Sequence, residues 1–253
     1  MTQQKNLIIT IHAPALVGND GRPLAVIHGM EKALSDLRLE WRLSTGGRPI
    51  ALPQRDEWLA ENTVDGGFPL MCNGDIRFPV TVTGSERPGI LSPGGHAQFE
   101  VYAELPLAEP VLTAATSLFE GMAEGAGAFW GRATPDDAAV DIAYQTAPTL
   151  EGPPSPRRGL PALKLFEDIR SPETPYYLGW LNYWSEAAAR TIGFPDPAQD
   201  ADLLSRSRRT ASGGWVVQLT DAPLDLDDPA HLDALKRTYE RFPEIGGRST
   251  TRR

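Results

Sequence analysis

The sequence predicts an α+β fold, a single mixed or antiparallel sheet with helices packed mainly on one face. Three observations predict it. Strand-like segments gather early in the chain, and helical ones follow in blocks instead of alternating strand by strand, which argues against a parallel α/β sheet. Residues Gln98–Leu105 alternate apolar Phe99, Val101, Ala103 and Leu105 with polar or amphipathic partners, the pattern of a strand with one face on a core and one in water. Residues 24–37 and 110–130 instead repeat their apolar positions at helical spacing.

The elements follow in order. Leu7 to His12 is β-rich and ends at Pro14. A turn at Gly18-Asn19-Asp20-Gly21 leads to Pro23, whose missing N–H costs nothing at a helix start. Leu24, Ile27, His28, Met30, Ala33, Leu34 and Leu37 then form one helical stripe. Leu39–Leu43 reads as a strand, Gly46-Gly47 as a turn, and Pro53–Leu59 as a short helix. Pro69–Asn73 and Phe78–Thr83 are further strand candidates.

Pro110–Trp130 is the longest helical segment, with Val111, Ala115, Leu118, Phe119, Met122 and Phe129 on its apolar side. Thr134-Pro135-Asp136-Asp137 predicts a second helix reaching about Gln145, with threonine as cap and the acids complementing the dipole. Residues 148–175 hold seven prolines and no regular apolar repeat, so they read as a long extended segment carrying the basic pair Arg157-Arg158. This segment is expected to pack on the aromatic run Tyr176–Trp184, with Trp180 or Trp184 buried. That run is expected to lead into a helix through Ile192, capped by Gly193. Asp200–Ser207 forms a further turn or two, Gly214–Leu219 a strand, and Asp228-Pro229 opens the last helix. One domain is expected over residues 1–245, with 246–253 as a flexible tail.

Composition narrows the function. The chain has 253 residues, 41% hydrophobic and 23% charged, so it can bury a sizeable core. The net charge of −9 disfavours direct nucleic-acid binding, which depends on Lys and Arg, and suits a basic protein partner. Cys72 is the single cysteine, in an apolar run, and is read as a buried thiol. Neither a signal peptide nor a membrane span is legible, so a cytoplasmic location is expected.

Candidate chemistry is sparse. His12, His28, His96 and His231 show no metal-ligand spacing. Ser92-Pro93-Gly94-Gly95-His96 lacks a nucleophile elbow. Gly125-x-Gly127 reads as close helix packing and not as a phosphate loop. Glu120/Glu124 and Asp137/Asp141 are carboxylate pairs four residues apart, read as helix faces. Asp225-Leu226-Asp227-Asp228 lacks the spaced ligands of a calcium loop and reads first as a helix cap. No catalytic residue, cofactor or metal is assigned.

Three segments carry a resemblance. Ala128-Phe129-Trp130-Gly131-Arg132-Ala133-Thr134-Pro135 comes first, then Leu178-Gly179-Trp180-Leu181-Asn182-Tyr183, then Gly213–Asp221 running on to Asp228-Pro229-Ala230-His231-Leu232. Together, over roughly residues 110–245, they resemble the immunity protein 52 family of bacterial polymorphic toxin systems. The whole chain, including Ala13–Leu16 and Pro53–Asp56, is similar to a larger, paralogue-rich bacterial family of unknown function.

The resemblance implies an immunity or antitoxin-like protein that binds and neutralises a cognate toxin. Many members are encoded beside nuclease toxins, so a basic nuclease is one candidate partner. Asp225, Asp227 and Asp228, as an acidic edge, and Trp180 and Tyr183, as aromatic anchors, are the candidate partner-binding residues. Arg206, Arg208 and Arg209 are the basic residues positioned to quench nearby acids. The alternatives are an enzyme of unrecognised class, with a cleft of carboxylates and a histidine, and a structural or regulatory interaction protein. The toxin's identity, the role of the N-terminal half and the oligomeric state are not legible in the sequence.

Overall fold

A computed structural model describes residues 5–18, 20–44 and 46–248. The fold is α+β. The chain divides into two compact units, residues 1–87 with 97–128, and residues 88–96 with 129–253.

The first unit is built on antiparallel strands in the order β3-β2-β4-β5-β6-β1. These are β1 (Asn6–Pro14), β2 (Trp41–Leu43), β3 (Pro49–Ala51), β4 (Phe68–Cys72), β5 (Thr81–Arg87) and β6 (Gln98–Pro106). β1 and β6 pair from Asn6↔Pro106 to Pro14↔Gln98. This register puts Leu7, Ile9, Ile11 and Ala13 beside Phe99, Val101, Ala103 and Leu105, all fully buried. Each such Leu or Ile contributes about 2 kcal/mol by leaving water. The opposite face carries Asn6, Thr10, Tyr102 and Glu104 and stays partly or wholly exposed.

Helices α1 (Arg22–Ala33) and α3 (Glu109–Ala126) cover the apolar face, and α2 (Arg55–Glu61) lies against α1. α1 and α3 touch backbone to backbone. A Cβ on Gly29 would come within 2.5 Å of the Gly121 carbonyl oxygen, and one on Gly125 within 2.7 Å of Ala25. Arg22 stitches the entry to α1, donating to the carbonyls of Pro14, Ala15 and Ala126 and pairing with Asp20 at 2.7 Å. Asn19, in the expected turn, lies outside the described residues.

The second unit holds four antiparallel strands in the order β7-β8-β10-β9. They are β7 (Trp130–Pro135), β8 (Leu181–Trp184), β9 (Ser207–Arg209) and β10 (Trp215–Gln218). Helices α4 (Asp136–Thr146), α5 (Glu186–Ile192), α6 (Ala201–Ser205) and α7 (Pro229–Arg241) complete it. All four β8 residues are buried, so both faces of that strand are covered. The core is aromatic: Trp184 stands edge-on to Phe194 at 5.1 Å and to Phe242 at 5.4 Å.

Several elements depart from the sequence expectations. The long helix stops at Ala126, because Gly127 takes the left-handed conformation (φ 60°) and donates back to Glu124 and Ala123. Trp130–Thr134 is therefore strand, and Thr134 is a fully buried strand residue that caps nothing. Tyr176–Gly179 is irregular and Leu181–Trp184 is strand; the helix begins only at Glu186, where Ser185 accepts from the Ala188 amide. β5 starts three residues later than the alternation at 78 predicts.

The proline-rich segment is irregular apart from a 3-10 turn at Phe166–Asp168. As expected, it packs on the aromatic run: Phe166 lies 5.0 Å from Tyr176, and the Tyr176 hydroxyl donates to the Lys164 carbonyl. Trp180 and Trp184 are both buried. Gly246 and Gly247 are buried too, and Arg248 donates to the carbonyl of Phe242, so the chain is held up to Arg248. The remainder of the expected tail, 249–253, lies outside the described residues.

Candidate functional site

The acids singled out in the sequence sit at the start of α7, and the fold makes them a folded turn. The Asp225 carboxylate accepts from the Asp227 amide at 2.9 Å. Asp228 caps α7 by accepting from the Ala230 amide at 2.8 Å. His231 accepts through Nδ1 from the Asp225 amide, and its Nε2 is 3.8 Å from Asp228. Local side-chain acceptors thus satisfy the amides that open the helix, while all three aspartates remain exposed.

The basic residue seen on this turn comes from elsewhere than the expected Arg206, Arg208 and Arg209, of which Arg206 does pair with an acid of the stretch before β9, Asp202, one helical turn away. Arg158, from the proline-rich segment, reaches the turn instead. Its guanidinium bonds Asp227 at 2.7 Å, the Leu226 carbonyl at 3.0 Å, and Asp141 of α4 at 2.9 Å. Gln145 fixes the path of this segment. It is buried, donates to the carbonyls of Pro154 and Pro156, and accepts from the Arg158 amide. A fixed planar fork holding two carboxylates is what guanidinium geometry favours.

Arg158 thereby ties the acidic turn to α4, and α4 is amphipathic in an unusual sense. Ala138, Ala139 and Ile142 point inward. The outward face, at positions i, i+3, i+4 and i+7, carries Asp137, Val140, Asp141 and Tyr144. Val140 is 55% and Tyr144 64% exposed, and Leu150, four residues beyond the helix, is fully exposed. Large apolar side chains standing in water beside a row of carboxylates form a surface suited to protein contact.

The two aromatic candidates are placed differently. Trp180 is buried and donates its indole N–H to the Thr220 carbonyl at 2.9 Å. Tyr183 is also buried, its hydroxyl 3.3 Å from Ser212 Oγ. Both are pinned inside the second unit, so neither is presented to a partner. The burial of Trp180 agrees with the expected packing of the aromatic run, and the partner-anchor reading of Trp180 and Tyr183 gives way to a core role. Val140, Tyr144, Leu150 and Asp141 are the surface residues that the candidate set omits; the legible signal for them was the four-residue spacing of Val140 and Tyr144 alongside Asp137 and Asp141.

The remaining candidates resolve into structural roles. Ser92 Oγ donates to the Pro88 carbonyl. His28 joins α1 to α2 through Asp56 at 3.0 Å, and His12 lies 3.6 Å from Glu100 across β1 and β6. Cys72 is buried. Among the described residues no group of three His, Cys, Asp or Glu side chains is arranged to hold a metal ion. Nor is any helix there long and apolar enough to cross a membrane.

Comparison with known proteins adds two findings. The profile of a domain of unknown function, DUF5953, matches residues 18–250. Among solved structures, the chain is similar to the Pseudomonas aeruginosa T6SS protein PA0821, with a TM-score of 0.58 and 17% identity. That likeness covers 94% of this chain and 73% of the other, and it shows a shared fold. No curated protein matches the chain.

Proposed function

The chain belongs to the DUF5953 family, and on that premise we propose that it is a T6SS-associated binding protein of the immunity type, which neutralises a cognate toxin by covering it. The observation that carries this reading is the outward face of α4. Val140 and Tyr144 stand exposed on the same face as Asp137 and Asp141, and Arg158 joins that face to Asp227. Tyrosine is enriched among residues that dominate interface energetics, because a rigid amphipathic ring buries much area at little entropy cost.

The acids give the partner its sign. A net charge of −9 and a cluster of carboxylates around one apolar stripe steer a basic protein inward and fix its orientation. A nuclease domain, whose groove must attract phosphates, is a partner of that kind. The fold likeness to a T6SS protein supports the setting. The immunity protein 52 resemblance supports the role, because its span of roughly 110–245 includes α4, the proline-rich segment and α7. On this reading the protein works in the cytoplasm of the cell it protects, and no bond is made or broken.

The test uses the product of the adjacent gene as the partner. That product is expressed in bacteria with and without this chain, and growth is followed. The reading predicts arrest by the gene product alone, rescue by the parent chain, and loss of rescue with Val140→Asp/Tyr144→Asp at unchanged protein level. A harmless gene product, or rescue that survives the double substitution, contradicts it.

A further inference from the structure

The first unit contains a cleft that the partner-binding reading does not use. It has a volume of about 620 Å³ and lies where three chain segments converge: the end of α1 and the turn after it, the β4–β5 loop, and the first turns of α3. That is the size of a small-molecule site. Its lining is mainly apolar, with Leu34, Leu37, Phe78 and Pro110 among the wall residues.

The walls are held. Leu34 and Leu37 donate backbone N–H groups to the Met30 and Leu34 carbonyls and close the turn after α1. Asn73 braces the β4–β5 loop, its amide donating to the Phe78 carbonyl at 2.8 Å and its oxygen accepting from the Val80 amide at 3.1 Å. The cleft is therefore set by hydrogen bonds in the loops that frame it and does not depend on a ligand to exist.

Its charged groups share one sign. Asp36, Asp75 and Glu109, one from each segment, line it. Several carboxylates elsewhere pair with arginine: Asp20 with Arg22, Glu31 with Arg55, Asp141 with Arg158, Asp200 with Arg241. None of these three has such a partner among the described residues. Asp75 accepts from the Arg77 backbone amide and Glu109 faces the Thr113 hydroxyl at 3.4 Å. Arg38, the cation nearest in sequence to Asp36, gives its guanidinium to the carbonyls of Ser35 and Leu37.

We propose that this cleft binds a small organic cation, an ammonium head on an apolar body, with the body against Leu34, Leu37, Phe78 and Pro110 and the head among Asp36, Asp75 and Glu109. A recess lined by one sign of charge with low-dielectric walls focuses the field and concentrates counter-ions inside it. The apolar walls then select a cation that carries hydrocarbon over a hydrated metal ion, because burying a CH₂ group adds affinity that a bare charge lacks.

The test is an amide NMR titration of the whole chain with hexylammonium chloride and, separately, with sodium hexanoate, which has the same apolar body and the opposite charge. Saturable shifts are expected at Leu34–Leu37, Asn73 and Thr113–Ala114 with hexylammonium, and none there with hexanoate. The triple variant Asp36→Asn/Asp75→Asn/Glu109→Gln should weaken hexylammonium about tenfold, the combined effect of three exposed charges. Thr113→Trp, at an exposed position on the cleft wall, should block it while circular dichroism stays that of the parent. Absence of saturable shifts with hexylammonium, equal binding of hexanoate, or an unchanged affinity in the triple variant overturns the proposal. None of these outcomes bears on the toxin-binding face, which lies on different residues.

Discussion

Single side chains decide how this molecule's charges are used. Asp200 is buried and receives the Arg241 guanidinium at 2.7 and 3.1 Å, with the Asp196 amide as a third donor. Arg241→Met leaves that carboxylate buried without its cation, and should cost about 3 kcal/mol in chemical denaturation. A cost below about 1 kcal/mol would show that the pair is not the tie between α7 and the 196–200 turn. Asp20 illustrates pH dependence. The Arg22 guanidinium hydrogen-bonded to it holds its carboxyl below the ordinary value. A depressed carboxylate stabilises the fold above its unfolded pKa of about 4, and that stabilisation is lost as pH falls through the folded value. Asp20→Asn should therefore lower stability at pH 7, by a difference that shrinks as pH falls below the unfolded value of about 4; a difference that stays constant as pH is lowered past that value would contradict the assignment. Sequence could not place Trp180 and Tyr183, because the ring chemistry that favours interfaces also favours cores. Residues Leu181–Trp184 are covered on both faces, so the alternation that would mark a solvent side is missing.

At the scale of elements, legibility followed burial pattern. β1, β6 and α7 were readable because one face is apolar and the other wet, and Asp228-Pro229 marked the start of α7. β3 and β9 were missed: each is three residues long, and β9, at the rim of the second unit's strand order, is the polar Ser207–Arg209. Short polar edge strands need no hydrophobic pattern, since their role includes blunting the edge. β7 was absorbed into α3 because Phe129 continues the helical spacing; the overlooked signal was Gly127, a glycine stop. The α1–α3 contact was foreshadowed by Gly125, but only the structure shows Gly29 facing Gly121. Gly29→Ala should cost about 1–3 kcal/mol, because the methyl meets backbone that moves only if the helices part. Thermal unfolding checks this: a melting temperature equal to the parent's would mean that the helices separate freely.

For the whole molecule, the two compact units part between Ala128 and Phe129, and residues 88–96 go with the second unit. The crossings lie in glycine- and proline-bearing stretches, Pro88–Gly95 and Gly125–Gly131, which the sequence reads as a turn and as helix packing, so neither announces a boundary. The candidate surface belongs entirely to the second unit and the acidic cleft entirely to the first. The surface was half legible: its acids and the basic pair Arg157-Arg158 were named from the sequence, whereas the apolar stripe and the contacts of Arg158 came into view only when the proline-rich segment was seen folding back on α4. The central claim is that this surface meets a basic toxin, and association kinetics with the product of the adjacent gene test it most directly. Asp225→Asn, Asp227→Asn and Asp228→Asn together keep the turn's side-chain acceptors while removing three charges. The account predicts slower association for this triple variant at low salt, a difference that shrinks as ionic strength rises, and for Tyr144→Ala a faster dissociation that weakens binding about 30-fold. Association and dissociation rates equal to the parent's in both variants, with the fold intact, would contradict it.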